Sequence, residues 1–207
     1  GATLTGTFTN VDLSNASMVG AQIGSCGGYY YCTYATSFST VDFHGSDLQN
    51  AKFNYVNIST SNFNDTNLLS ADISNTSLRN STFLRSNLNA VIMTDTTVLD
   101  TSFNNASCDH LTVVSYGSYS NYSSKFRNTS FVNARCPYFS IGATEFVNID
   151  FSNANLSGAS FSNMFTSATK FTGANLGGAK FRGMYMSTND FSGALLGYTD
   201  FGKEDGY

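Results

Sequence analysis

Large apolar side chains recur at every fifth position over most of this chain. Four lie at Phe8, Leu13, Met18 and Ile23; the beat resumes at Phe38 and runs in steps of five to Val113, passing Phe43, Phe53, Phe63, Phe83, Phe103 and Cys108. A third run extends from Phe126 to Phe201, through Phe131, Cys136, Phe151, Phe171, Phe191 and Leu196, and only Thr166 is polar. Of the 18 phenylalanines, all but Phe139 and Phe165 sit on the beat. A period of five fits neither the 3.6 of a helix nor the 2 of a flat strand. It predicts a solenoid.

Each repeat carries a second pattern around its central residue. Two positions earlier the residue is small or β-branched, as at Ala51, Ala71, Thr76, Ala154 and Ala174; one position earlier it is polar, as at Asp47, Asn67, Asp72 and Asn155. Residues two apart on an extended segment point the same way and the residue between them points outward, so the large and small groups share an interior. Two positions after the centre, Asn or Gly recurs (Asn15, Asn75, Asn105, Gly158, Gly178), residues that tolerate a tight corner.

The segments Ala154-Asn155-Leu156-Ser157-Gly158, Ala174-Asn175-Leu176-Gly177-Gly178 and Ala179-Lys180-Phe181-Arg182-Gly183 resemble the Ala-(Asp/Asn)-Leu-x-x motif of the pentapeptide-repeat family. The resemblance covers nearly the whole chain outside two gaps. It implies an all-β fold, a right-handed quadrilateral β-helix with four repeats per turn. Four-sidedness has independent support in the chain. Every twentieth residue gives Phe43, Phe63, Phe83, Phe103 and then Leu48, Leu68, Leu88; later it gives Phe131, Phe151, Phe171, Phe191 and Leu156, Leu176, Leu196. Like residues stack when they lie directly above one another, one strand spacing of about 4.8 Å apart. At 20 residues per turn the 207 residues correspond to about ten coils, a rod of roughly 45–50 Å at that spacing.

Two irregular segments interrupt this single domain of residues 1–207, near 24–37 and 114–123. The first keeps the frame, because Ile23 and Phe43 are 20 residues apart; the second, from Val113 to Phe126, adds eight residues at a corner between faces. The slip places Cys108 and Cys136 in one column, one turn apart and within disulfide reach. Free cysteines filling two leucine slots is the alternative. Cys26 and Cys32 bracket the first gap and could staple it. Paired cysteines favour an oxidising compartment. The gaps also collect Tyr29, Tyr30, Tyr31, Tyr34, Tyr116, Tyr119 and Tyr122, seven of the 12 tyrosines. Tyrosine on a loop supplies stiff, amphipathic contact area suited to a partner, or folds back to cover the rod.

Composition adds exclusions. Charged residues make up 12% with a net charge of −4, and Asn, Ser, Thr and Gly outnumber the helix formers. No apolar run approaches 18 residues, so no transmembrane segment is expected, and no Lys/Arg cluster suggests nucleic acid. His44 and His110 follow centres and point outward, far apart in the stack. Asp12, Asp42, Asp47, Asp65, Asp72, Asp95 and Asp100 form no paired carboxylates; catalytic and metal residues and cofactors are all expected to be none. The chain opens at Gly1, so a removed leader and a trimmed chain are both open readings. Nine Asn-x-Ser/Thr sequons in a chain this rich in Asn and Ser carry little weight.

The expectation is therefore a non-enzymatic structural scaffold or protein–protein interaction module, exported from the cytoplasm (periplasmic, lumenal or extracellular), in an assembly or fibre. Solenoid ends need caps, because an open coil exposes core and unpaired backbone. The first gap offers cover for one end, whereas Phe191, Leu196 and Phe201 offer an end-to-end contact with a partner or second copy. An adhesin or ligand-binding rod using the tyrosine loops is the first alternative. The resemblance also brings in DNA mimicry by gyrase-protecting members, strongly acidic dimers joined through a C-terminal helix. Weak charge and a helix-free C-terminal segment disfavour that reading.

Overall fold

The computed structural model describes residues 2–24, 36–116 and 124–202. They form a parallel β-helix with four columns of inward side chains. The first column runs Phe8, Phe38, Ile58, Leu78, Val98, Phe126, Phe146, Thr166, Met186, and the second runs Leu13, Phe43, Phe63, Phe83, Phe103, Phe131, Phe151, Phe171, Phe191. The third runs from Met18 through Leu48 and Leu88 to Leu196. The fourth runs from Ile23 through Phe53 and Val113 to Phe201, with Leu4 placed one level before Ile23. From first level to last there are eight full turns, fewer than the ten expected, since the insertions take residues out of the coil. At about 4.8 Å per turn the rod is roughly 38 Å long.

The first and fourth faces carry regular strands. Gly6–Thr9, Thr36–Ser39, Val56–Ser59, Ser77–Arg79, Thr97–Leu99, Ser124–Ser130, Thr144–Asp150, Phe165–Ser167 and Tyr185–Ser187 make a nine-stranded parallel sheet. The second and third faces are held by single bridges such as Asp42↔Asn62 and Asn67↔Asn87. Between levels, the amide of each central residue donates to the next level (Phe43 N to Asn62 O, 2.7 Å), and the polar residue before each centre donates back (Asn62 N to Val41 O, 2.9 Å).

The corners explain the Asn and Gly pattern. At nearly every described corner the second residue after the centre is left-handed, with φ of 55° at Asn15, 58° at Asn105 and 57° at Asn153; Ser115, where the second insertion begins, is not. Asn adopts this region at low cost, but Tyr55, Arg85, Ala90, His110 and Tyr138 are held there too, each against a Cβ penalty of about 1–2 kcal/mol. Packing and the hydrogen-bond ladder override local preference. Gly24, at φ 76°, has no substitute at its site: an added Cβ would lie 2.4 Å from Asn54 O.

The interior is filled by stacked rings and by hydroxyls that are mostly hydrogen-bonded, Thr169 Oγ1 being buried without a partner. Phe43, Phe63, Phe83, Phe103 and Phe131 stack successively with centroids 4.5 to 4.8 Å apart. Small-position hydroxyls bond the turn below: Thr66 Oγ1 donates to Phe43 O (2.9 Å), Thr76 Oγ1 to Phe53 O (2.8 Å) and Ser86 Oγ to Phe63 O (2.6 Å). A buried hydroxyl is tolerated because it is bonded. Thr166, the single polar centre, receives Nδ2 of Asn189 at 2.7 Å. Of the off-beat phenylalanines, Phe139 fills a small-residue slot inside, and Phe165 faces out.

Two sequence expectations need correction. The first gap does not preserve the count of turns. Phe8 pairs with Phe38, Gln22 with Lys52 and Ile23 with Phe53, so ten residues leave the coil and Ile23 stacks against Phe53, not Phe43. The irregular segments are also shorter than 24–37 and 114–123: Thr36 and Ser37 lie in a strand, and Val114 ends the strand Thr112–Val114. The eight-residue insertion is as expected, with Phe126 registered on Val98.

Asn105 is exposed, and its left-handed backbone disfavours β-branched residues; Thr40, Thr60 and Thr188 adopt it only against that penalty. Asn105→Val should cost about 1–2 kcal/mol, whereas Thr112→Val on the extended outer face should stay within about 0.5 kcal/mol. Chemical denaturation of both variants measures the difference; equal effects would contradict corner strain as the cause.

Candidate interaction surfaces

Both insertions leave at one corner. Gly24 and Thr36 flank the first, between the fourth and first columns; Tyr116 and Ser124 flank the second at the same corner four turns further on. Tyr29, Tyr30, Tyr31, Tyr34, Tyr119, Tyr122, Cys26 and Cys32 lie outside the described residues, as does any cover they provide for an end. Tyr116 is described and is 82% exposed. Its amide donates to Asp95 Oδ1 at 3.1 Å, and Ser115 Oγ donates to the same oxygen at 3.2 Å. Where the chain departs, Asp95 fixes the backbone and leaves the tyrosine ring outside.

Cys108 and Cys136 lie in the third column on successive turns, joined as a disulfide with Cα atoms 4.4 Å apart. Both are fully buried between Leu88 and Leu156. The bond ties the turn before the second insertion to the turn after it. Just outside, His110 stacks on Tyr138 (centroids 5.0 Å), and Tyr138 lies across Gly158, leaving no room there for a Cβ.

Among the described residues, exposed apolar side chains concentrate at the C-terminal level. Met186, Leu196 and Phe201 are 40%, 43% and 49% exposed, whereas Thr166, Leu176 and Phe181, one level deeper in the same columns, are at most 2% exposed. Phe191 is half-buried, and Tyr185, Leu195 and Tyr198 surround the opening as exposed residues. Sequence reasoning singled out Phe191, Leu196 and Phe201; it missed Tyr185, Met186 and Leu195. Met186 was legible, being a centre on the last level. At the other end Phe8, Leu13 and Ala16 are half-buried.

The sides are polar and electrically mixed. Along the second face Asp12 and Asp42 give way to Asn62, Thr82, Ser102 and Ser130, then Asp150, Lys170 and Asp190; no face carries a continuous acidic run among the described residues. Asp65 pairs with Arg85, whose guanidinium holds the carboxyl below its ordinary range, and His44 Nδ1 lies 3.5 Å from Asp65. Hydrogen bonds from Ser14, Ser192 and Arg182 lower Asp12, Asp190 and Asp200 in the same sense. His110 Nδ1 is 2.7 Å from Asp109. A shallow groove of about 440 Å³ is floored by Asn80, Asp100, Asn128, Thr82, Ser102 and Ser130, with Asn128 Nδ2 bonded to Asp100 at 2.8 Å. Among the described residues no three His, Cys, Asp or Glu side chains are grouped to hold a metal, and no helix is long and apolar enough to cross a membrane.

A family model for pentapeptide repeats matches the sequence in eight copies, over residues 42–80 and, in overlapping segments, 143–203. No curated protein matches it. Among solved structures it is similar to QnrB1, a plasmid-mediated fluoroquinolone resistance protein, at 11% identity, covering 98% of this chain and 92% of that one with a TM-score of 0.50. Another is HetL of Nostoc sp. strain PCC 7120, a pentapeptide repeat protein involved in heterocyst differentiation regulation: 16% identity, 96% and 86% coverage, TM-score 0.41. At such identity the likeness shows the fold alone.

Two outcomes test the surfaces. In a Cys26→Ser/Cys32→Ser background, reduction should destabilise the protein by about 2–4 kcal/mol, and adding C108L/C136L should abolish sensitivity to reductant; equal stability with and without reductant would show that Cys108 and Cys136 contribute only packing. The lowered aspartates bind fewer protons folded than unfolded, so their contribution is present above the ordinary aspartate value of about 4 and is lost as pH falls below it. Melting temperature should therefore decline from pH 5 to pH 3, and a rise on acidification would contradict the assignment.

Proposed function

This chain is a pentapeptide-repeat protein, and from that premise we propose that it works as a non-enzymatic structural scaffold or protein–protein interaction module whose binding surface is the C-terminal level. The observation that carries this reading is the jump in exposure between successive levels of one column, from Leu176 at 0% to Leu196 at 43%. Contiguous exposed apolar surface rimmed by polar residues marks a contact site, and Tyr185 and Tyr198 beside it supply amphipathic contact area. The filled interior and the mixed polar sides support a rod that presents surfaces over one that performs chemistry.

The disulfide between Cys108 and Cys136 supports an oxidising location outside the cytoplasm. Tyr116, standing clear of the rod beside the insertion, favours a second contact through the tyrosine-rich corner, the adhesin reading. DNA mimicry needs a continuous negative face, and the alternation along Asp150, Lys170 and Asp190 speaks against it.

A photo-crosslinking amino acid in place of Leu196, expressed in the source cells, tests the main reading. Adducts with a polypeptide, whether another protein or a second copy, are expected at Leu196 and not at Ser102 on the side of the rod. Equal yields at both sites, or none at Leu196, would overturn it.

A further inference from the structure

The two ends of the described rod match each other in hydrogen bonding as well as in shape. One level inside the C-terminal end, Phe171 N donates to Asp190 O (2.7 Å) and Leu176 N to Leu195 O (2.9 Å). Among the described residues no next level exists to accept the equivalent amides of Phe191 and Leu196, or to donate to the carbonyls of Asn189 and Ala194. At the other end Asp12 and Ser17 are the mirror case. Their counterparts Asp42 and Asp47 accept from Leu13 and Met18 and donate to Val11 and Ala16, while among the described residues no preceding level meets Asp12 and Ser17. Placing one rod on another in the internal register puts Met186 on Phe8, Phe191 on Leu13 and Leu196 on Met18. The contact is then the one the chain already makes between its own levels.

One column does not fit. Beneath Ile23, where Phe201 of a preceding copy belongs, the chain's own Thr3–Leu4 strand is already paired: Thr3 with Gln22 and Leu4 with Ile23, through Gln22 N to Ala2 O (2.8 Å) and Gly24 N to Leu4 O (2.9 Å). The strand is two residues long, with Thr3 exposed and Leu4 half-buried. A strand this short gives up little when displaced.

We propose that copies of this chain stack head to tail, the C-terminal level of one on the N-terminal level of the next, and that Thr3–Leu4 is a plug that must swing out for Phe201 to take its slot. This rests on the reading of the C-terminal level as a protein-binding surface and names its partner as a second copy. The contact is heterologous, so it propagates into rods instead of closing as a dimer. Asp190 then falls over Asp12, as Asp12 falls over Asp42 within the chain, and salt screens that repulsion.

Sedimentation velocity of the full chain at rising concentration, in low and high salt, provides the test. Leu4→Asp, which loosens the plug, should tighten self-association at least tenfold and give a ladder of species beyond dimer. Leu4→Asp with Leu196→Asp should return the protein to monomer with unchanged circular dichroism. A Leu4→Asp protein that stays monomeric at several hundred micromolar would overturn the proposal, and so would one that stops at dimer, because a closed pair is not head to tail. Crosslinks from Leu196 to an unrelated protein alongside a strictly monomeric Leu4→Asp variant would leave the interaction reading standing and remove only this one.

Discussion

Everything in this fold depends on closing one turn in 20 residues. Once the turn closes, each inward residue lies one strand spacing above its predecessor, and the interior can be filled only by groups that stack at that distance. Aromatic rings do so in offset contact, which is why Phe43, Phe63, Phe83 and Phe103 repeat without change. The same spacing brings each hydroxyl of Thr66, Thr76 and Ser86 to a carbonyl of the previous turn, which offsets the desolvation cost of placing them in the core. The corners bear the cost, in left-handed backbone at residues as unsuited to it as Tyr55 and Arg85.

A structure closed in this way admits extra chain only at corners, and both insertions use the corner between the fourth and first columns. The second lies against two reinforcements: Asp95, holding the backbone of Ser115 and Tyr116, and the Cys108–Cys136 bond, joining the turns on either side. The disulfide stands where the chain leaves the ladder, the place at which register has least support from sequence continuity.

How much of this was legible follows from arithmetic. The second insertion adds eight residues, not a multiple of five; the beat slips, and the slip revealed both the corner and the cysteine alignment. The first adds ten, a multiple of five, so the beat stays in phase while the chain leaves the rod. Only three-dimensional pairing, such as Phe8 stacked on Phe38 at 4.9 Å, shows that Ile23 belongs with Phe53. Thr166 was illegible for a related reason. Its partner Asn189 is 23 residues away, three beyond a full turn, and no local pattern announces a hydrogen bond between levels.

The period that pairs the levels of the rod leaves the first and last described levels with one unpaired side among the described residues. Along the sides, the amides of the centres and of the polar residues before them find partners one turn away, others bond within their own turn (Ser46 N to Phe43 O; His44 N to Asp42 Oδ1), and among the described residues the outward positions mix charge and polarity. At the last described level the ladder's donors and acceptors meet no further level among the described residues, and Met186, Leu196 and Phe201 leave water-facing a core that is closed one turn earlier. Burying them recovers about 25 cal/mol for each Å² removed from water, and a surface built like the next level is the shape that removes most of it. Translational repetition supplies that shape in the protein's own first level. On the head-to-tail proposal, specificity for self needs no dedicated recognition residue, only something to limit growth, and the two-residue strand Thr3–Leu4, paired with Gln22–Ile23, occupies the slot where it would do so.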